Sequence, residues 1–337
     1  MISILSLVSE TASAKTAAHA IRTMRTIMPN FLITSPLNRS IVTDVPSLRT
    51  ALNDGAAYIA LGNDIDLTNW GGSESATAIL NGEPTIFDLN GYTIKGEICS
   101  GDTSCNAPET NLTLVDSSGA KTGKIISTYR ELESGAMMQK CALNAWQHAI
   151  TINGGTYLSN EVAIKCQVQN ISRPEGIIIN DGYFGGSSAQ TFGCDISAGG
   201  CVNAVIGTVT INGGTFEAAE YGSVIMAESG CSDEETVVNI YGGKFQGYCM
   251  FEFGCDCSSK TIVNVYGGTF TLTNPKHKDD LSTSFAYDNF TEKALVNNDN
   301  FILNIMGGTF NYDPSAYVAK GYEAVESEGT WTVSKKN

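Results

Sequence analysis

One phrase of apolar and polar positions recurs along this chain: a short alternation, a pair of glycines, and an aromatic residue. It reads Thr151-Ile152-Asn153-Gly154-Gly155-Thr156-Tyr157 and returns as Thr210-Ile211-Asn212-Gly213-Gly214-Thr215-Phe216. It returns again as Asn239-Ile240-Tyr241-Gly242-Gly243-Lys244-Phe245, Asn264-Val265-Tyr266-Gly267-Gly268-Thr269-Phe270 and Asn304-Ile305-Met306-Gly307-Gly308-Thr309-Phe310. Ile178-Ile179-Asn180-Asp181-Gly182-Tyr183-Phe184 is a degenerate copy, and Leu89-Asn90-Gly91-Tyr92-Thr93-Ile94 a shorter relative. The equivalent aliphatic residues Ile152, Ile179, Ile211, Ile240, Val265 and Ile305 fall 27, 32, 29, 25 and 40 residues apart. Self-similarity at such a period is the mark of a repeat architecture.

Each phrase has a physical reading. The alternation sends one face inward, as in a half-buried strand. The glycine pair lets the backbone turn a corner through positive φ or close approach. The aromatics Tyr157, Phe184, Phe216, Phe245, Phe270 and Phe310 then point back inside, each stacking on its equivalent in the next repeat. A repeat of this length suits three short strands and three turns. The predicted fold is therefore all-β, a right-handed parallel β-helix (solenoid) over residues 44–335, preceded by a short helical or extended segment over 1–43. The long last interval predicts an insertion near 274–298. A β-propeller fits less well, because its blades need four antiparallel strands and a longer period.

The N-terminal part differs. Ala17, Ala20, Ile21, Met24 and Ile27 share one helical face within Thr11–Met28, and Pro29 ends the run. This segment either caps the open end of the solenoid or docks on a partner. Asp44-Val45-Pro46-Ser47-Leu48 predicts a capped short helix, and Tyr58–Leu67 the first strands. The apolar start, Met1–Val8, lacks a preceding Lys or Arg and is short for a secretion signal, so the N-terminus is expected to be retained.

Composition supports a folded chain with a large core. Of 337 residues, 42% are hydrophobic and 16% charged, the reverse of a disordered chain. The net charge of −15 leaves no basic footprint for nucleic acid. No run of 18 apolar residues predicts a membrane-spanning helix.

Candidate chemistry is thin. Ten cysteines lie in the middle of the chain, at Cys99, Cys105, Cys141, Cys166, Cys194, Cys201, Cys231, Cys249, Cys255 and Cys257. They read as buried free thiols, with a disulfide framework as the alternative. Cys249, Cys255 and Cys257, with Cys231 upstream, form the tightest group. Their spacing is not that of a usual zinc site, and the nearest histidine in sequence, His277, is remote. Cys194 and Cys201 flank a short loop that a disulfide bridge would close. Asp233-Glu234-Glu235 reads as a solvated acidic turn before a Ca²⁺ site, Lys276–Asp280 as a surface loop before a recognition loop, and His148 as structural. No catalytic, metal or cofactor-binding residue is predicted. Asn38, Asn111, Asn170 and Asn289 begin N-x-S/T sequences, which matter only in a eukaryotic secretory setting.

The opening strands and turns, Tyr58-Ile59-Ala60-Leu61-Gly62-Asn63-Asp64-Ile65-Asp66-Leu67 and Leu89–Ile94, resemble those of pectate-lyase-like right-handed β-helix proteins. The Ile-Asn-Gly-Gly-Thr-Phe phrases resemble those of phage virion proteins and gut bacterial surface proteins, and Gly307–Val333 is similar to the closing module of such chains. The sequence motifs of polygalacturonases are missing, and neither Arg130 nor Arg173 sits in a lyase-like motif. The resemblance thus implies a non-enzymatic virion structural protein: a head fibre, decoration or minor capsid protein. Residues 1–43 would contact other virion proteins, with a homo-oligomer and a surface glycan as further candidate partners. The alternatives are a bacterial cell-surface adhesin that binds a carbohydrate or host ligand, and a polysaccharide-active lyase or hydrolase.

Overall fold

The computed structural model describes residues 39–67, 77–80, 85–100, 112–127, 130–131, 137–138, 141–145, 149–159, 162–167, 175–186, 200–218, 223–228, 235–247, 249–254, 260–273 and 300–336. All of them belong to one compact unit that begins at Asn38. The segment predicted as Thr11–Met28 and the insertion at 274–298 lie outside the described residues.

Near the start sits one α-helix, Val45–Asn53. Asp44 caps it: the Ser47 N–H donates to Asp44 Oδ1 at 2.8 Å, and the Asp44 N–H donates to Ser47 Oγ at 3.1 Å. This reciprocal pair satisfies donors that a helix start leaves open. Pro46 falls in the first turn, where a missing N–H does no harm. Leu48 and Ala51 are the residues the helix buries.

Beyond this helix the described residues are mostly strand. Among them, 25 strands join one long, mostly parallel sheet. Arg130–Glu131 and Met137–Met138 pair separately and antiparallel. The strands of the large sheet fall into three ladders, and in each a strand pairs with its counterparts one repeat earlier and later.

The first ladder holds the strands before the glycine corners. Ile59, Phe87, Leu114, Ile152, Ile179, Ile211, Ile240, Val265 and Ile305 stack in register. All of them are fully buried. The ladder opens earlier than the 43/44 boundary drawn from the sequence, because Arg39–Val42 pairs in parallel with Tyr58–Leu61.

The second ladder lies beyond the corners. Ile65, Ile94 and Ile125 come first, and Tyr157, Phe184, Phe216, Phe245, Phe270 and Phe310 continue the row. Neighbouring aromatic rings lie 4.7 to 5.1 Å apart, centroid to centroid, and tilt by no more than 15°. In-register parallel strands set this stacked geometry, because their spacing of ~4.8 Å matches a ring-to-ring contact.

Ala78, Ile98, Leu143, Ile164, Val202, Ile225 and Phe251 form the third ladder. Most of its described residues are buried on both faces of the strand. Every residue of Glu97–Ser100 and of Leu143–Ala145 is buried. Parallel sheets covered on both sides read as such mixed or continuous runs.

The parallel order ends at the C-terminus. Thr330–Lys335 pairs antiparallel with Gly308–Phe310, setting Trp331 opposite Phe310. It folds back on Tyr322–Ser327 through Glu328-Gly329. Both turn residues have positive φ, at 52° and 76°, as a two-residue hairpin of this hand requires. Glu323 and Glu326 sit on the outer strand, where charge discourages further strand pairing.

Two aspartates tie the early repeats together. Asp88 is fully buried; its Oδ1 accepts the N–H groups of Asn90 and Ser117, each at 2.9 Å, and its Oδ2 accepts the Tyr58 hydroxyl. Tyr58 in turn lies under the Arg39 guanidinium, 5.1 Å from the ring centre. Burial first, and then Asp88, pushes the Tyr58 hydroxyl up to about 12. Asp116 accepts the N–H groups of Gly91, Ser118 and Gly123 at 2.9, 3.1 and 2.7 Å. Burial alone would raise its carboxyl, but hydrogen bonds from Ser118, Gly123 and Gly91 together hold it below the ordinary value.

Two outcomes are expected for stability. Phe245→Ala should cost about 3–5 kcal/mol in urea-induced unfolding, since it opens a void between two stacked rings. Asp116 titrates lower in the folded chain than unfolded, so its contribution is complete above the unfolded carboxylate range. That contribution fades as pH falls through the folded value. The stability difference between wild type and Asp116→Asn should therefore be full at neutral pH and shrink on acidification. A difference that stays constant with pH would contradict this.

Candidate functional site

Burial alternates strictly along Thr236–Ile240, Thr261–Val265 and Phe301–Ile305. The intervening positions, with the residue after each strand, look outward as three rows. Val237, Ile262 and Ile302 form the first row, and Asn239, Asn264 and Asn304 the second. The third is Tyr241, Tyr266 and Met306, whose N–H groups bond successively to Ile211, Ile240 and Val265.

The asparagine row is bonded within itself. Asn264 Nδ2 donates to Asn239 Oδ1 at 3.0 Å, and Asn304 Nδ2 to Asn264 Oδ1 at 3.0 Å. A second amide row precedes it one position along: Asn180 donates to Asn153 at 2.8 Å and Asn212 to Asn180 at 2.9 Å. Each amide keeps one further N–H and one lone pair for another partner.

Tyr241 and Tyr266 stack at 4.7 Å, with ring planes 6° apart. They remain 49% and 43% exposed, which puts them among the few large apolar side chains of the described residues that are open to water. Partial burial, then Tyr241 and Tyr322, raises the Tyr266 hydroxyl above its ordinary value. None of the nine outward residues is charged at neutral pH, although the chain carries −15. The surface offers amide and phenol hydrogen bonds and apolar contact. It holds no nucleophile, acid or base suited to catalysis at that pH.

The glycine corners hold these rows in line. At Gly242-Gly243 the two residues do different work. Gly243 has φ of 119°, a region that L side chains avoid. A Cβ on Gly242 would come within 2.8 Å of the Asn212 carbonyl oxygen, so the backbone of one repeat rests against that of the last. The same division holds at Gly213-Gly214, Gly267-Gly268 and Gly307-Gly308. Gly154-Gly155 differs: both have positive φ, and the buried Tyr157 hydroxyl donates to the Gly154 carbonyl at 2.7 Å. Beyond the corner, the Tyr183 hydroxyl donates to Glu217 Oε2 at 2.7 Å and is pushed up to about 12 by burial and that carboxylate.

Polar groups also lie under the third ladder. The Cys141 thiol donates to Glu97 Oε1 at 3.6 Å, and the Ser223 hydroxyl donates to Glu252. All four residues are buried. Among the described residues, no group of three or more His, Cys, Asp or Glu side chains is placed to hold a metal ion. Cys231, Cys255 and Cys257 of the candidate thiol group lie outside the described residues, as do Cys105, Cys194, Asp233, Glu234, His148 and Lys276–Asp280. So do Asn38, Asn111, Asn170 and Asn289. Among the described residues no helix is long and apolar enough to cross a membrane.

Cys99, Cys141, Cys166, Cys201 and Cys249 are all buried. Cys201 donates to the Phe184 carbonyl at 3.3 Å. Burial first, and then nearby carboxylates, pushes the Cys201 and Cys249 thiols far above the ordinary range. A buried thiol that stays protonated is a poor nucleophile. Alkylation of the native protein at neutral pH, followed by peptide mapping, should leave these five unlabelled until urea is added. Labelling of Cys201 or Cys249 in the native state would refute their burial. In comparisons with known proteins, no family model, no curated protein and no solved structure matches this chain.

Proposed function

We propose that this chain is a right-handed parallel β-helix and serves as a non-enzymatic structural protein of a virion, such as a head fibre, decoration or minor capsid protein. The observation that carries this reading is the unbroken stacking of like side chains, from Ile59 to Ile305 in one ladder and from Ile65 to Phe310 in another. Stacked repeats make a stiff support whose length is set by their number. Such a support suits a protein that holds a surface away from its point of attachment. The attachment is assigned to residues 1–43, and a surface glycan remains a candidate ligand of the exposed end.

The reading predicts that the chain copurifies with viral particles at a fixed number of copies per particle. It also predicts that removal of residues 1–38, which leaves the Arg39–Val42 strand in place, abolishes incorporation while the rest stays folded by circular dichroism. Recovery in a bacterial cell-surface fraction, with none in particles, would replace it by the adhesin reading. Cleavage of a polysaccharide, lost when a surface carboxylate is changed, would replace it by an enzyme.

A further inference from the structure

We propose that the uncharged outer face of Thr236–Ile240, Thr261–Val265 and Phe301–Ile305 is an interface with a second copy of this chain. The two copies are related by a two-fold axis that runs along the ladder through the asparagine row. The inference rests on sheet geometry and is independent of the virion reading.

Charge favours this occupant. Two chains of net charge −15 repel each other, and they approach most easily where neither presents a charge. The nine-residue face is such a place, and each copy brings an identical one.

The chemistry is self-complementary, as an isologous interface requires. Rotation about the axis sets the asparagine row against itself, and each amide can both donate and accept with the hydrogen and lone pair left over from its own ladder. The same rotation lays the smaller Val237, Ile262 and Ile302 against the larger Tyr241, Tyr266 and Met306. Large residues then meet small ones, as packed sheets about 10 Å apart need.

The period matches as well. Both copies step by ~4.8 Å, so every repeat meets its equivalent at the same level. A ligand without that period would match at one level only. The uncharged row continues in register through Thr210, Ile178, Thr151 and Thr113. That lengthens the face to roughly 30 Å. The area lost from water is on the order of 1,000 Å², the lower limit for a specific interface, which suits a reversible dimer.

The test is sedimentation of the full chain across a concentration series. Wild type should pass from monomer to dimer in the micromolar range. Tyr266→Lys should weaken the dimer at least tenfold while its thermal melting curve, taken at a concentration where both proteins are monomers, stays close to that of wild type, because the side chain is partly exposed. Asn264→Cys should be joined to its own symmetry mate by a short bifunctional thiol reagent that spans the gap between packed sheets, since it lies on the axis, and Tyr266→Cys, displaced from the axis, should not.

A chain that remains monomeric at high micromolar concentration overturns the inference. So does a dimer indifferent to Tyr266→Lys, or one in which Asn264→Cys does not cross-link. A monomer whose tyrosine fluorescence responds to a neutral oligosaccharide, and loses that response in Tyr266→Lys, assigns the face to a glycan instead. Absence from particles, by contrast, bears only on the virion reading.

Discussion

The whole molecule depends on strands pairing in parallel, in register, one repeat apart. The side-chain period of a strand is two, so a slip of one residue would turn every buried side chain to water. The register therefore fixes which residue type each level must carry. In the second ladder it demands a flat ring under a flat ring. In the first, Phe87 and Leu114 apart, it stacks β-branched aliphatics, which fill a pleated inner surface in few rotamers. Where the second ladder changes from Ile125 to Tyr157, the larger ring is accommodated locally. Buried Leu89 lies beside the Gly155 corner, where no side chain stands in its way.

The same constraint explains why the ladders look so different from outside. The first has one wet face, and there outward amides hydrogen-bond one another along the ladder while Tyr241 and Tyr266 stack. The third is covered on both faces over most of its described length, with half-buried Lys165 as an exception. Its outward positions include Cys99, Asn144, Met226 and Glu252, a mixture that no solvent-facing strand would show. Buried polar groups in such a place need partners, and Ser223 supplies one for Glu252.

These physical differences decide how much was legible in the sequence. The strands around the corners announced themselves, because glycine pairs and a following aromatic leave an unmistakable interval even when the alternation is short. The third ladder did not. Ser223–Glu228 and Cys249–Gly254 have no period of two, since both of their sides are covered. Arg39–Val42 escaped for another reason: four residues are too few to establish a pattern. The outer face lay in plain view inside the repeated phrase, in Tyr241, Tyr266 and Met306. Its rows emerge only once the register sets equivalent residues side by side, and no motif marks them. The antiparallel closing hairpin left a trace in Glu328-Gly329, a turn pair whose role depends on the strands it joins.

The amide rows carry a further consequence. In each row the two bonds run the same way, Nδ2 of one repeat donating to Oδ1 of the repeat before it, so the bond dipoles add head to tail. A repeat spliced in between Asn239 and Asn304 would find a donor waiting on one side and an acceptor on the other. A repeat excised there would leave the same pair to close the gap. Duplication and loss of single repeats can thus lengthen or shorten the molecule without inventing any new contact, which makes reach a quantity that evolution can set by copying alone.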